Sequence, residues 1–151
     1  MKHTFVLDEN VYIQSYTCRN IKDSADNFHS LQLILRILKE CHKIGLTGEL
    51  IGKYQEKSKT LERGGKIHSG VIRIWKRLVQ RKDKHRFSEN HLKDLPSNIQ
   101  HDRHVIEPAL FLSGTLVTTD DKLKKRLTKW AEKKRFEISV VSPEEALTIV
   151  E

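Results

Sequence analysis

The chain has 151 residues, of which 37% are hydrophobic and 32% are charged. This length suits one domain with one core, and the composition excludes an intrinsically disordered chain. No apolar run approaches the roughly 20 residues that a membrane span needs, and the N-terminus does not resemble a signal peptide. We therefore expect a single domain over residues 1–151 that is cytoplasmic and not bound to a membrane.

The net charge of +8 is unevenly distributed along the chain. Residues 57–93 carry 12 Lys and Arg against 3 Asp and Glu, and residues 122–135 carry 8 against 1. These local charges of +9 and +7 leave −8 on the remaining residues. Such a distribution is typical of a protein that holds a polyanion beside an acidic metal site. Solvated lysine-rich helices explain either basic stretch alone equally well.

The two cysteines form neither a CxxC pair nor a zinc-type spacing with histidine, which argues against a structural zinc site and a disulfide framework. We expect both Cys18 and Cys41 to be reduced thiols, with Cys41 in the core as a small apolar residue.

The first half of the chain begins with Thr4–Leu7, an apolar run typical of a buried parallel strand. The apolar spacing of residues 28–41 predicts a helix, capped by Ser24 or Asp26 and stopped by Gly45. A short strand is predicted at residues 44–47 and a helix from residue 49. A further helix has the apolar positions Ile67, Val71, Ile74, Trp75 and Leu78, and residues 81–98 are predicted to form a loop or a short polar helix.

The last third of the chain alternates between predicted helices and predicted strands. Residues 105–112 show a helical pattern, residues 115–118 a strand, residues 123–131 a basic amphipathic helix, and residues 136–141 another strand. Ser142, followed by proline and glutamates, is a strong helix start. Strands that alternate with helices predict an α/β fold: a three-layer α/β/α sandwich with a mainly parallel sheet of about five strands.

Three aspartates occupy informative positions in this pattern. Asp8 and Asp120 each follow a predicted strand, and Asp102 opens the helix that leads into the second of these strands. In a parallel α/β sheet, ligands bind beyond the carboxyl ends of the strands. Carboxylate oxygens are the natural ligands of Mg²⁺ and Mn²⁺, which can orient a phosphodiester and activate water. Asp102 taken alone is equally typical of a helix cap.

The ordered set of motifs resembles the PIN domain family. The segments that carry the resemblance are residues 5–13, the spacing from Asp102 to Ala109, and residues 116–123. The resemblance covers nearly the whole chain, with the middle third poorly matched. It implies a metal-dependent endoribonuclease that cleaves single-stranded RNA, with Mg²⁺ or Mn²⁺ as cofactor. It also suggests a homodimer and, as for many small PIN proteins, an antitoxin protein as partner.

By position, the resemblance implies that Asp8, Asp102 and Asp120 are catalytic metal ligands. Asn10 would steady the first aspartate, and Thr118 would place a hydroxyl near the site. Asp121 is expected to be a helix-capping neighbour of Asp120, although the two could exchange roles.

The chain departs from the family at one position. Lys53 stands where a glutamate is expected, which would lower the affinity for a metal ion. Glu49, one turn earlier, is our choice for the fourth ligand, and Glu56 is the alternative. The departure leaves open a second interpretation, a catalytically impaired PIN-like domain that binds RNA or protein. A phosphate-accepting receiver domain is a third interpretation, disfavoured because no third-strand aspartate follows at mid-chain.

The remaining candidates are histidines and basic residues. We expect His101 and His104 to lie at the surface or to support the site without binding the ions, since an oxygen cluster favours hard metals. The candidates for RNA phosphate contacts are Arg63, Lys66, Arg73 and Arg77. Trp75 and Trp130 fit the apolar helix faces and are predicted to belong to the core.

Overall fold

The computed structural model describes residues 2–20, 22–64 and 69–150. The described strands form one parallel sheet in the order β3–β2–β1–β4–β5. Their bounds are β1 Thr4–Leu7, β2 Lys43–Leu46, β3 His85–Phe87, β4 Thr115–Val117 and β5 Ser139–Val141. Helices cover both faces, so the predicted three-layer α/β/α fold with a five-stranded parallel sheet is confirmed.

The described α-helices are α1 Glu9–Thr17, α2 His29–Lys39, α3 Gly48–Arg63, α4 Ser69–Gln80, α5 Arg103–Phe111, α6 Asp121–Lys134 and α7 Pro143–Ile149. α2 packs against α1, α4 and α7, whereas α5 packs against β1, β2 and β4. α3 contacts both α1 and α5. Five elements therefore surround the carboxyl end of the central strand: α1, α3, α5, β2 and β4.

β1 lies in the middle of the sheet because its residues are apolar on both faces. Phe5, Val6 and Leu7 are almost completely buried, as expected for a central parallel strand. Gly45 in β2 lies directly beside it: a Cβ atom there would come 2.9 Å from Cγ2 of Val6 and 3.1 Å from Cδ1 of Leu112. The missing side chain allows the end of α5 to approach the sheet closely.

Several local predictions are confirmed. Ser142 caps α7 through its side chain and forms a capping box with Glu145. Trp75 and Trp130 are only 3% and 8% exposed, so both belong to the core as predicted. No described helix combines the length and the apolar character that crossing a bilayer requires.

Other local predictions are wrong. Cys18 is the buried cysteine, whereas Cys41 is exposed just after α2. Gly45 does not stop a helix but lies within β2. α2 begins after Phe28 without a side-chain cap, so neither Ser24 nor Asp26 caps it. Residues 81–98 contain a short polar helix and a loop, as predicted, but also the unpredicted edge strand β3. Asp102 occupies the N-cap position of α5, the alternative considered for it, but its side chain makes no capping hydrogen bond.

Candidate functional site

Asp8 is the first functional side chain that the fold positions. It lies between β1 and α1, where its extended backbone makes it the N-cap of α1, and its Oδ1 accepts a 2.7 Å hydrogen bond from the backbone N–H of Glu9. The residue is only 4% exposed. An ionisable carboxyl group is thus held in the interior at the carboxyl end of the central strand.

Thr118 connects Asp8 with the next strand. It follows β4, and its hydroxyl donates a 2.7 Å hydrogen bond to Oδ2 of Asp8. The same hydroxyl oxygen accepts a 3.1 Å bond from the backbone N–H of Asp120. Asp120 caps α6 itself, since its Oδ1 accepts from the backbone N–H groups of Lys122 and Leu123 at 3.0 and 3.1 Å. The cap of α6 is therefore Asp120, and the exposed Asp121 is the first residue of the helix.

Asp102 reaches the same edge of the sheet from the start of α5. Its carboxylate lies 3.1 Å from Nε2 of the exposed His101. Burial raises the pKa of Asp102, and the charges of Asp120 and Glu9 raise it further. The charge of Asp102 in turn raises the pKa of Asp8. The three aspartates expected to share an ion are thus linked electrostatically around the end of β1.

Glu9 and His104 join this group, although the sequence analysis assigned neither of them as a ligand. His104, on α5, is only 4% exposed, and its Nε2 is hydrogen-bonded to Oε1 of Glu9. Of the two positions expected for His104, the surface position is wrong, and the ring instead lies beside the site. One potential ligand atom from each of Asp8, Glu9 and His104 lies within 4.8 Å of the others. We call these three residues the Asp8–Glu9–His104 cluster.

Burial dominates the electrostatics of the site. It raises the pKa of Asp8 to about 6, and the hydrogen bonds from Thr118 and from the backbone of Glu9 only partly offset it. Burial alone would lower the pKa of His104, but the hydrogen bond and the charge of Glu9 outweigh it and raise this pKa. A nearby cation would favour ionised Asp8. Perturbed carboxyl groups of this kind are concentrated at functional sites.

The first turns of α3 form one side of the site. Tyr54 donates its hydroxyl to the backbone carbonyl of Leu7, which holds α3 against the end of β1. Glu49 is exposed and close enough for its charge to raise the pKa of His104. The hydrogen bond from His104 lowers the pKa of Glu9, and the charges of Lys53 and Lys57 lower it further.

Lys53 thus lies near the carboxylates, as the departure from the PIN pattern implied. Among the described residues, no carboxylate oxygen lies within 4.0 Å of its ammonium group. Glu56 is exposed on α3. Of the two glutamates considered for the fourth ligand, Glu49 is the one that influences the site, through His104.

An open cleft of about 470 Å³ lies beside Thr118 and Asp120 and is also lined by Asn10 and Asp121. Asn10 faces this cleft, but within the described residues it makes no hydrogen bond to Asp8. The side chain that steadies Asp8 is that of Thr118. The remaining wall combines amide and hydroxyl groups, from residues 14, 20, 27, 119 and 142, with ionisable side chains from residues 22, 23, 29, 122 and 144.

The candidate RNA-binding residues are spread over two helices. Arg63 is exposed at the end of α3, and Arg73 and Arg77 are exposed on α4. Lys66 lies outside the described residues, as does Ile67, the first apolar position of the predicted helix. Lys53 and Lys57 are the basic residues whose charges act on Glu9; Lys57 begins the first basic stretch, whereas Lys53 was not among the candidates for RNA contacts.

Sequence signals for the missed residues were weak. Glu9 directly follows Asp8, so its place at the strand end was visible, but the start of α1 was not predicted. His104 lies two residues after Asp102 at the start of a helix, a spacing that also occurs by chance. No model of a known protein family matches this chain, and no curated protein is significantly similar to it.

Proposed function

We propose that this protein is a PIN-like, metal-dependent endoribonuclease that cleaves single-stranded RNA. Asp8, Asp102 and Asp120 would hold Mg²⁺ or Mn²⁺. The observation that carries the proposal is the buried carboxylate of Asp8 at the carboxyl end of the central strand, with the charges of Glu9 and Asp102 beside it. A concentration of buried negative charge is favourable only with a compensating cation or a proton.

Hydrogen bonds orient two of these carboxylates for such a cation. Oδ1 of Asp8 and Oδ1 of Asp120 are engaged by backbone N–H groups, and Oδ2 of Asp8 accepts from Thr118. Each oxygen of Asp8 keeps a further lone pair, and Oδ2 of Asp120 accepts no hydrogen bond within the described residues, so these bonds orient the two groups without saturating them. When bound, the ion would supply an activated water and stabilise the charge that develops on the phosphate.

RNA is the proposed substrate because of the positive charge outside the site. The two basic stretches, residues 57–93 and 122–135, carry local charges of +9 and +7. Arg73 and Arg77 supply exposed guanidinium groups on α4, and Lys53 and Lys57 are positioned closer to the carboxylates. Guanidinium and ammonium groups bind phosphates by charge-assisted hydrogen bonds.

The experiment that tests this proposal is a cleavage assay on single-stranded RNA with metal-stripped protein, to which Mg²⁺ or Mn²⁺ is returned. We expect cleavage that depends on the metal and is abolished by Asp8→Asn. Asp94→Asn is the control, because Asp94 is an exposed carboxylate in the segment between β3 and α5. Cleavage that persists in a chelator, or full activity of Asp8→Asn, would contradict the mechanism.

A catalytically impaired RNA- or protein-binding module is the second candidate function. The observation that favours it is the proximity of Lys53 and Lys57 to Glu9. Two fixed positive charges compete with a metal ion for the same carboxylates. Salt-sensitive RNA binding without cleavage in any divalent metal would support this function over the first.

The proposed partners and setting follow from the same resemblance: an antitoxin protein, a homodimer and a cytoplasmic location. An apolar groove of about 620 Å³ between α3 and α4, with Phe87 and Val79 more than half exposed at its edge, supports a protein contact on this face. Light scattering on the purified protein tests the dimer directly, since a monomer mass of 17.6 kDa would contradict it.

A further inference from the structure

The Asp8–Glu9–His104 cluster contains a different kind of ligand from the three aspartates. Glu9 begins α1 and His104 lies in the first turn of α5, so the two residues are 95 positions apart in the sequence. They meet because α5 packs against β1, which ends at Asp8. The cluster is thus a product of the fold and combines two carboxylates with one imidazole.

The geometry of the cluster suits a single small ion. One potential ligand atom from each residue lies within 4.8 Å of the other two. Nitrogen and oxygen ligands bind a transition-metal ion at about 2.0–2.2 Å, so neighbouring ligands of one ion lie roughly 3 Å apart. Rotation of the Glu9 side chain, which is partly exposed, can bring the ligand atoms closer together.

His104 provides an observation that is independent of the acidic residues. The ring is 4% exposed, and its Nδ1 has no hydrogen-bond partner among the described residues. A buried polar atom without a partner is costly, and such atoms are rare unless an ion, a water or a function accounts for them. A cation bound at Nδ1 would satisfy this atom directly, whereas a cation bound at Nε2 would take the place of the hydrogen bond to Glu9.

The chemistry of this ligand set discriminates between metals. Mg²⁺ requires oxygen ligands and keeps much of its water, whereas imidazole suits first-row transition metals such as iron and zinc. We propose that Asp8, Glu9 and His104 bind a first-row transition-metal dication, and that the site prefers such an ion to Mg²⁺. This inference rests on the proposed function only in that both assign a metal ion to Asp8.

Glu9 and His104 lie close to the position on α3 where the chain lacks the expected glutamate. Lys53 occupies the position where the PIN pattern has a glutamate, and the positive charge of Lys53 acts on Glu9. Glu9 and His104 together replace the ligand that the chain lacks on α3.

The first test uses the unaltered protein, so it does not depend on a variant that folds. Metal-stripped protein is loaded with Mn²⁺, and electron spin-echo spectra are recorded. We expect modulation from a directly coordinated imidazole nitrogen, which Mn²⁺ held only by aspartates does not show. Absence of nitrogen coupling on tightly bound Mn²⁺ overturns the inference, and so does failure to bind Mn²⁺ or Co²⁺ at all.

The second test compares affinities. We expect His104→Gln and Glu9→Gln each to weaken Co²⁺ and Mn²⁺ binding at least about 10-fold in calorimetric titrations, while His104→Gln leaves Mg²⁺ binding unchanged. The control is His91→Gln, which alters an exposed histidine paired with Glu107 outside the cluster. Equal losses for Mg²⁺ and Co²⁺, or no loss in His104→Gln, contradict the inference.

The outcomes separate this inference from the proposed function. Nitrogen-coordinated Mn²⁺ in a protein that cleaves no RNA supports the transition-metal site and contradicts the nuclease function. Metal-dependent cleavage without nitrogen coordination supports the nuclease function and contradicts the transition-metal site.

Discussion

The hydroxyl of Thr118 donates a 2.7 Å hydrogen bond to the buried carboxylate of Asp8, across two neighbouring parallel strands. This bond lowers the pKa of Asp8 against the larger effect of burial. The same oxygen accepts from the backbone of Asp120, so one hydroxyl fixes the relative position of two acidic residues. Several experiments follow from this arrangement and from the groups around it.

Thr118→Val should weaken both the fold and the site. The substitution keeps the shape but removes the donor to Asp8 and the acceptor for the backbone of Asp120. We expect a loss of about 1–3 kcal/mol in the free energy of unfolding and weaker binding of Mn²⁺. Thr118→Ser keeps the hydroxyl and should retain most of both. Denaturant unfolding and Mn²⁺ titration measure the two effects, and a valine variant with unchanged metal affinity would contradict the role given to Thr118.

Asp8→Asn should stabilise the metal-free protein while it abolishes metal-dependent activity. Burial raises the pKa of Asp8 from 3.8 to about 6, so above pH 6 the folded protein carries an unfavourable buried charge. A shift of this size corresponds to at most about 3 kcal/mol, of which the neutral amide recovers the part that is not offset by the loss of one acceptor oxygen. Thermal unfolding at pH 7.5 in a chelator measures the gain. Asp94→Asn should leave the melting temperature nearly unchanged, whereas destabilisation by Asp8→Asn would be inconsistent with a charged, uncompensated Asp8.

Lys53→Glu should increase the affinity for divalent metals. The substitution removes a positive charge near Glu9 and supplies a carboxylate where the PIN pattern has one. Lys53→Gln removes the charge without adding a ligand, so the difference between the two variants isolates the carboxylate. We expect Mn²⁺ affinity and the rate of RNA cleavage to be highest for Lys53→Glu, lower for Lys53→Gln and lowest for the wild-type chain. Tighter binding by the lysine protein than by both variants would show that Lys53 does not compete with the ion.

Arg73→Ala combined with Arg77→Ala should weaken RNA binding without affecting metal binding. Each phosphate that the protein no longer neutralises should reduce the salt dependence of binding by about 0.7 in the log–log slope for single strands. Arg36→Ala is the matched control, because Arg36 is a partly exposed arginine outside both basic stretches and is paired with Glu40. Binding titrations over a series of salt concentrations give the slopes. An unchanged slope in the double variant would remove α4 from the RNA-binding surface.

His42 should make the stability of the fold depend on pH. Its Nδ1 accepts a 3.2 Å bond from the backbone N–H of His3, and its Nε2 lies 3.3 Å from Glu40, so the buried ring is satisfied in its neutral form. Burial lowers the pKa of His42 below 6.5. Below about pH 6.5 the unfolded chain binds a proton that the folded chain does not, so the free energy of unfolding falls as the pH decreases.

The measurement is a set of unfolding curves between about pH 5 and 8 for the wild-type chain and for His42→Gln. Because Asp8 and other groups titrate in both proteins, the difference between the two curves isolates His42. We expect the wild-type chain to lose stability relative to His42→Gln as the pH decreases. A difference that is constant across the range would contradict a neutral buried ring.

Most of the fold could be predicted because the strands that carry it are apolar on both faces. Thr4–Leu7 and Thr115–Val117 are recognisable as continuous apolar runs, and both end at candidate site residues. β3 was missed because it is a three-residue edge strand within a polar segment, His-Arg-Phe, which pairs only with β2. α1 was missed because its buried face includes the polar residues Gln14 and Ser15.

The site could be predicted only where its residues follow strands. Asp8, Thr118 and Asp120 mark strand ends in the sequence itself. The partnership of Glu9 with His104 could not be predicted in this way, since it depends on how α5 packs against β1. The error for Cys41 has a similar origin: it continues the apolar spacing of α2 but lies beyond the last helical residue, where the chain turns toward solvent.

The central position of β1 also determines when the site can form during synthesis. The bond from Thr118 to Asp8 joins residues 110 positions apart, and β1 lacks its β4 neighbour until that part of the chain is made. A ribosome releases the N-terminal part first, so a nascent chain carries Asp8 long before it carries Thr118 or Asp120. For an enzyme of the proposed kind, this delay keeps the growing chain unable to cut the message from which it is being translated.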